Sequence, residues 1–202
     1  MKKYCIVFVL FILLSGCNNP PPANISYLNE DATILAFGDS LTFGFGAKRQ
    51  QSYPSVLSQL ISRKVINEGV SGEESAEGLE RLADLLDDYQ PSLLILCHGG
   101  NDFLHKKPVN QLEDNIMAMI KMAQSQGISV LLIGVPKPGI LLSTAELYQR
   151  VAEKTQVAYE GDIIKDILSS PSLHSDLVHP NAQGYQKLAE AIADLLKQAK
   201  AI

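Results

Sequence analysis

The amino-acid sequence predicts an α/β fold in which one parallel sheet is covered by helices. From Asp31 to the C-terminus, short apolar runs typical of buried strands alternate with amphipathic stretches of helical period. The run SLLILC at residues 92–97 is apolar throughout, as expected for a parallel strand buried on both faces. No internal repeat or second core is visible, and 202 residues with 46% apolar composition suffice for one domain.

The predicted elements follow one another in regular alternation. Strands are expected at residues 32–37, 64–67, 92–97, 128–133 and 156–159. Helices are expected at residues 53–62, 74–89, 111–126 and 144–155, followed by a last helix that Pro180 opens. An irregular apolar loop is expected at residues 135–142, and a loop with one helical turn at residues 162–175. With right-handed crossovers, these elements predict a three-layer α/β/α flavodoxin-like sandwich with a five-stranded parallel sheet.

The N-terminal residues are predicted to lie outside the folded domain. Two lysines precede an apolar run at residues 5–14, which is too short to span a bilayer comfortably. Leu14-Ser15-Gly16-Cys17 then resembles a bacterial lipobox, and this implies that residues 1–16 are a signal peptide and that Cys17 carries lipid. An ordinary secretory signal and an uncleaved anchor are the alternatives. Residues 17–30 contain NNPPPAN and are predicted to be a tether, which leaves 31–202 as the domain.

The lipobox resemblance implies a location and a membrane partner. A lipid on Cys17 would anchor the protein in the cell envelope, and Asn18, rather than an Asp, favours the outer membrane or the periplasmic face in a diderm bacterium. The net charge is −5 and no basic stripe is visible, so nucleic acid is not an expected partner. Cys97 is the one cysteine left for the domain, so no internal disulfide is expected and its thiol should be a small buried hydrophobe.

Polar residues suited to catalysis follow three of the predicted strands. Gly38-Asp39-Ser40 ends the first strand, where we expect Gly38 to take a positive φ, although these residues alone also fit an ordinary turn. Gly72 follows the second strand, and His98-Gly99-Gly100-Asn101-Asp102 follows the third. Because the carboxyl ends of parallel strands share one edge, these groups should lie together. Asp176-Leu177-Val178-His179 precedes the last helix, whose start can reach that edge.

These residues supply the parts that nucleophilic acyl transfer requires. Ser40 can be the nucleophile, His179 its base, and Asp176 the group that orients the base. The backbone N–H of Gly72, the side-chain amide of Asn101 and the N–H of Ser40 can hold an oxyanion. No cofactor is expected. No metal is expected either, because the other histidines (His98, His105 and His174) lack the spacing of a ligand set.

The set resembles the SGNH hydrolases, the GDSL esterase/lipase superfamily. The four blocks appear in order as Gly38-Asp39-Ser40-Leu41, Ser71-Gly72, Gly99-Gly100-Asn101-Asp102 and Asp176-Leu177-Val178-His179. The likeness is greatest to the bacterial arylesterase and acyl-CoA thioesterase/lysophospholipase subgroup, and it runs from Thr33 to the C-terminus. It implies a metal-free serine hydrolase of carboxylic esters or thioesters, with an acyl-enzyme intermediate, a Ser40-His179-Asp176 triad and an oxyanion hole of Ser40, Gly72 and Asn101.

The sequence indicates the type of reaction more narrowly than it indicates the substrate. A small ester or lipid is expected, with an acyl pocket lined by loop residues that could instead cap the core: Phe103, Leu104, Ile140, Leu141 and Leu142. A cell-envelope carbohydrate O-acetylesterase and a non-enzymatic envelope binding module with a dead triad are the alternatives. His98 stands where the resemblance implies an apolar residue, and we expect a hydrogen-bonded structural histidine, with substrate contact or a response to pH as the alternatives. The oligomeric state stays open.

Overall fold

A computed structural model describes residues 25–139 and 142–202, which form an α/β/α sandwich as predicted. The central sheet has five parallel strands, and a two-stranded antiparallel ribbon lies beside it. The strands are β1 (Thr33–Gly38), β2 (Lys64–Gly69), β3 (Leu93–Cys97), β4 (Ser129–Ile133), β5 (Pro136–Lys137), β6 (Ser143–Thr144) and β7 (Ala158–Glu160). The order across the sheet is β2-β1-β3-β4-β7, so the chain winds first to one side of β1 and then to the other.

The helices form two layers around this sheet. They are α1 (Ser40–Phe43), α2 (Tyr53–Ile61), α3 (Ser75–Tyr89), α4 (Gly100–Leu104), α5 (Val109–Ser125), α6 (Glu146–Thr155), α7 (Ile163–Leu168) and α8 (Ala182–Gln198), with a short 3-10 turn at Arg49–Gln51. Helices α2 and α7 pack against α8, while α5 packs between α3 and α6. The two groups of helices therefore cover opposite faces, as right-handed crossovers on each side of β1 require.

Strand β3 forms the centre of the core. All five of its residues are fully buried, because β1 and β4 pair with it on either side and helices cover both faces. Its continuous apolar sequence is therefore a consequence of having no solvent-facing side. Cys97, the last residue of β3, is buried as expected, and burial raises the pKa of its thiol well above the ordinary value.

Several predicted segments differ from the structure. The loop at residues 135–142 contains β5, whose partner β6 follows at Ser143–Thr144. The last helix begins at Ala182 and not at Pro180, because the Asn181 side chain caps it by accepting hydrogen bonds from the N–H groups of Gln183 (2.9 Å) and Gly184 (3.1 Å).

The predicted tether ends too late, since Ile25 and Leu28 are buried in the core.

The segment before β1 is held at the edge of the sheet where the parallel strands begin. The Ser26 N–H donates to Oγ of Ser129, the first residue of β4 (3.0 Å), and the Leu28 N–H donates to the Ala201 carbonyl (2.7 Å). The predictions for the signal peptide, for lipid on Cys17 and for residues 18–24 of the tether lie outside the described residues. Within residues 25–139 and 142–202, no helix is long and apolar enough to cross a membrane.

Gly38 is required for a reason other than the expected one. Its φ is not positive, so it does not need the left-handed region. A Cβ at this position would instead overlap the carbonyl oxygen of Cys97 and lie 2.6 Å from Oγ1 of Thr42. The end of β1 thus approaches β3 so closely that only hydrogen fits there, and this approach fixes where Ser40 begins α1.

Candidate active site

The structure brings Ser40, His179 and Asp176 into one hydrogen-bonded chain. Ser40 is the first residue of α1, directly after β1, and the Asp39 side chain caps this helix by accepting from the Leu41 N–H (3.0 Å). Nε2 of His179 lies 3.0 Å from Oγ of Ser40. Nδ1 of His179 lies 2.8 Å from Oδ2 of Asp176. The residues come from opposite ends of the chain, and the fold closes a separation of 139 positions between Ser40 and His179.

The Asp176 carboxylate sets the orientation of the imidazole. Partial burial disfavours its charge, but hydrogen bonds from the Val178 N–H (2.9 Å) and from His179 hold the pKa of Asp176 below the ordinary value. An ionised carboxylate can only accept, so Nδ1 of His179 carries a hydrogen and donates it. In the neutral imidazole, Nε2 is then free to accept the hydrogen of the Ser40 hydroxyl. The Phe45 ring packs against the imidazole with centroids 4.5 Å apart.

Two groups predicted to hold an oxyanion have hydrogens that could point to a ligand. The Asn101 side chain, in α4, donates one amide hydrogen to the Glu73 carbonyl (2.9 Å), which leaves its second hydrogen available. Gly72 has a φ of +86°, and the position of its missing Cβ has no atom within 4 Å. Its N–H makes no hydrogen bond among the described residues. The loop that carries Gly72 is joined to the end of β1 by a hydrogen bond from the Val70 N–H to the Gly38 carbonyl (3.0 Å).

Buried carboxylates fix the loops around Ser40. Oδ2 of Asp39 accepts from the Gly100 N–H (3.2 Å), so one side chain ties the end of β1 to the turn before Asn101. Burial raises the pKa of Asp39, although the hydrogen bonds from Leu41 and Gly100 oppose that shift. Asp102 accepts from the Ser75 N–H (2.9 Å) at the start of α3. Both aspartates therefore bind backbone N–H groups, which is the role expected for turn carboxylates.

An apolar cavity of about 690 Å³ opens beside Ser40 and His179. Two of the predicted pocket residues, Leu104 and Leu142, line it, whereas Phe103 packs against the core, and positions 140 and 141 lie outside the described residues. Gly72 is not part of this lining. The apolar residues of the wall are Leu41, Leu104, Val135, Pro136, Pro138, Leu142, Ile164, Leu168, Leu177 and Val178.

The part of this wall that α7 contributes differs from the prediction. Ile164 and Leu168 lie four positions apart, a spacing that places both on one face of a helix, but the stretch was predicted to be a loop with a single turn. Their apolar periodicity was the available signal. His174 also lines the cavity, and an isolated bridge pairs it with Pro180.

The two remaining histidines have different surroundings. His98 is fully buried, and its Nε2 lies 3.0 Å from Oε2 of Glu73, which is the hydrogen-bonded structural arrangement expected from the sequence. His105 is exposed, and its Nδ1 lies 2.7 Å from Oε1 of Glu74. Neither lines the cavity.

Comparison with known proteins shows which family the chain belongs to. The model of the GDSL-like Lipase/Acylhydrolase family matches residues 36–187. The chain belongs to this family. Esterase TesA of Pseudomonas aeruginosa is 28% identical over 200 residues, which cover 92% of this chain and 97% of that one. Thioesterase 1/protease 1/lysophospholipase L1 of Escherichia coli K12 is 27% identical over 173 residues, which cover 82% and 83% of the two chains.

A solved structure that resembles this chain agrees with the assignment. AlinE4, an SGNH-hydrolase family esterase, is 32% identical with a TM-score of 0.67, and the match covers 85% of this chain and 98% of that one. The family and its esterases identify the protein as a carboxylic ester hydrolase with the SGNH fold. A non-enzymatic binding module is therefore no longer an alternative.

Proposed function

We propose that the protein cleaves carboxylic esters or thioesters through a Ser40-His179-Asp176 triad and an acyl-enzyme intermediate. The observation that carries this proposal is the unbroken chain of hydrogen bonds from the Ser40 hydroxyl through the imidazole to the Asp176 carboxylate. Such a chain gives a weakly nucleophilic hydroxyl a base within reach and gives the base a fixed tautomer. The apolar cavity beside Ser40 offers space for the acyl part of a substrate.

In the first half of the proposed reaction, each group has its own role. Oγ of Ser40 attacks the carbonyl carbon as its proton passes to Nε2 of His179, and the imidazolium is stabilised by Asp176. The N–H groups of Ser40 and Gly72 and the free amide hydrogen of Asn101 hold the negative oxygen of the tetrahedral intermediate. When that intermediate collapses, His179 returns the proton to the leaving alcohol or thiol, and the acyl group stays on Ser40.

The second half of the reaction uses the same groups with water as the nucleophile. His179 takes a proton from water, the resulting oxygen attacks the acyl carbonyl, and the same donors hold the second oxyanion. Collapse breaks the bond to Oγ, and the proton on His179 restores the serine hydroxyl as the carboxylic acid leaves.

The cavity favours substrates with an apolar acyl chain of short to medium length. Its walls include aliphatic side chains such as Leu142, Ile164 and Leu168, whose contact with an alkyl chain would remove apolar surface from water. An acetyl group would leave most of about 690 Å³ unfilled, so a carbohydrate O-acetylesterase is the second candidate. The names thioesterase and lysophospholipase of the Escherichia coli relative support the first candidate.

Hydrolysis of p-nitrophenyl esters from acetyl to dodecanoyl tests the proposal. On the chain starting at Asn18, we expect kcat/KM to rise with acyl length up to the length that the cavity accommodates, and then to fall. The Ser40→Ala variant is the control, and it should hydrolyse none of these esters. A maximum at acetyl would favour the O-acetylesterase, and a profile that survives Ser40→Ala would reject the proposed nucleophile.

The proposed location is the cell envelope, the outer membrane in a diderm bacterium, with lipid on Cys17. Residues 25–28 are bound at the beginnings of the strands, opposite the edge that carries Ser40. An anchor at Cys17 would therefore hold the domain by the side that faces away from the cavity. We expect Cys17→Ser to move the protein from the membrane fraction to the soluble fraction, and an unchanged distribution would contradict the anchor.

A further inference from the structure

Glu73 is a buried carboxylate that the reaction described above does not use. It directly follows Gly72, and 6% of it is exposed. Its side chain accepts hydrogen bonds from Nε and Nη2 of Arg81 in α3, the latter 2.8 Å from Oε2. Nε2 of His98, which follows β3, lies 3.0 Å from the same Oε2. Through these bonds, Glu73 connects the loop that carries Gly72 to helix α3 and to the end of strand β3.

The backbone of Glu73 contacts the other oxyanion donor. Its carbonyl oxygen accepts the hydrogen bond from Nδ2 of Asn101 at 2.9 Å. This bond fixes the rotation of the Asn101 amide, and thereby the direction of the second hydrogen. Because the Gly72 N–H belongs to the preceding residue of the same loop, a displacement of Glu73 would move two of the three proposed donors together.

The charge of Glu73 is maintained by its partners. Burial disfavours the ionised form, but the hydrogen bonds from His98 and Arg81 and the positive charge of Arg81 outweigh it and hold the pKa of Glu73 below the ordinary value. Since the carboxylate can only accept, Nε2 of His98 carries a hydrogen and donates it. The remaining ring nitrogen of His98, Nδ1, is buried without a hydrogen-bond partner among the described residues. His98 thus contributes a hydrogen bond to Glu73 from a fully buried position.

The surrounding residues leave room for this arrangement. A Cβ at Gly78 of α3 would lie 2.5 Å from Nε2 of His98, so a glycine is needed where the helix passes the ring. The Arg81 guanidinium lies 4.2 Å from the centre of the Phe37 ring and is thereby fixed on a second side. The carboxylate is therefore bound by groups that are themselves held in place.

We propose that Glu73 is a positioning residue of the oxyanion hole, and that His98 and Arg81 hold it so that Gly72 and Asn101 aim their hydrogens at one point. The inference rests on the proposed function, because it needs an oxyanion at Ser40. Donors that are fixed before the reaction stabilise the transition state without stabilising the bound substrate equally. Loosening Glu73 should therefore affect kcat more than KM.

The test compares Glu73→Gln and Glu73→Ala with the parent in the full-length protein, purified in detergent. We expect Glu73→Ala to lower kcat by about 10- to 100-fold and to change KM less than about threefold. The affinity for an alkyl trifluoromethyl ketone, which forms a tetrahedral adduct with a nucleophilic serine, should fall by the same factor as kcat/KM. Glu73→Gln keeps the size of the side chain and should recover part of the loss.

Glu68→Ala is the matched control. Glu68 is the other carboxylate near Arg81, with Oε2 3.8 Å from Nη1, and it also accepts from the Tyr89 hydroxyl at 2.8 Å, but its side chain has no contact with Asn101. Its loss should lower the melting temperature and leave kcat within about twofold of the parent. An equal loss of kcat in Glu68→Ala would overturn the inference, because the effect would then be one of general stability.

A double-mutant cycle keeps the inference testable if Glu73→Ala does not fold. In an Asn101→Ala background, Glu73→Gln should lower kcat by a much smaller factor than in the parent, because one of the donors that it positions is already absent. Fully additive effects would overturn the inference. So would a Glu73→Ala protein with normal kcat whose Ser40→Ala counterpart is inactive, and that result would leave the proposed triad standing.

Discussion

Replacing His179 by alanine should lower kcat for ester hydrolysis by about four to six orders of magnitude. The imidazole is the one base in contact with the Ser40 hydroxyl among the described residues, and it also returns the proton to the leaving group. Without it, attack depends on the small fraction of serine that ionises unaided. KM should change little, because the cavity that holds the acyl chain keeps its walls. Steady-state kinetics with a p-nitrophenyl ester measures both values.

His105→Ala is the control for this change. It also removes a histidine that is hydrogen bonded to a carboxylate, but His105 is exposed, pairs with Glu74 and lies outside the cavity lining. Its kcat should stay within about twofold of the parent, as is usual for surface substitutions. Comparable losses in the two variants, or normal kcat in His179→Ala, would contradict the role assigned to His179.

Replacing Gly38 by alanine should cost more than about 3 kcal/mol in the free energy of unfolding and should also remove activity. The added methyl would overlap the Cys97 carbonyl oxygen, a backbone atom of the central strand that cannot rotate away. To make room, β1 and β3 must separate, and Ser40, two residues further on, moves with β1. Urea denaturation of the variant measures the loss, provided that it folds well enough to be purified.

Gly127→Ala provides the comparison for stability. Gly127 has a φ of +75° but no atom within 4 Å of the position that a Cβ would take. Its replacement should lower the free energy of unfolding by about 1 kcal/mol, because alanine is strained in the left-handed backbone conformation. It should leave catalysis intact. If Gly38→Ala is no less stable than Gly127→Ala, the close approach of the two strands is not what requires glycine at position 38.

The layout of the sheet was predictable because its signals are local. A buried parallel strand needs apolar residues at every position, so the sequence of β3 indicates both its conformation and its central place. Ser40 and Asn101 were predictable as neighbours for a related reason, since the carboxyl ends of parallel strands share one edge. Gly72 joins them for the same reason, and Asp176 and His179 precede a helix whose start can reach that edge.

Features that depend on contacts between distant segments could not be predicted in the same way. The cavity beside Ser40 takes Ile164 and Leu168 from a helix whose residues are 120 or more positions beyond Ser40. The apolar spacing of that segment indicates a helical face that packs against something, but it does not indicate that this face meets the active site. Glu73 is a charged residue between a predicted strand and a predicted helix, where an exposed side chain would be expected. It is buried because Arg81 and His98 surround its charge. Gly38 was expected at the right place for the wrong reason, because overlap with Cys97 exists only once β1 and β3 pair.

The central claim is that Ser40 is the nucleophile, and covalent labelling tests it most directly. An alkyl fluorophosphonate reacts with a serine that is activated by a base and leaves a stable phosphonyl group on its oxygen. After digestion, mass spectrometry should find one phosphonyl group per chain, on the peptide that contains Ser40, with activity lost in proportion to labelling. Labelling at another residue that accompanies the loss of activity, or full inactivation with Ser40 unmodified, would contradict the account.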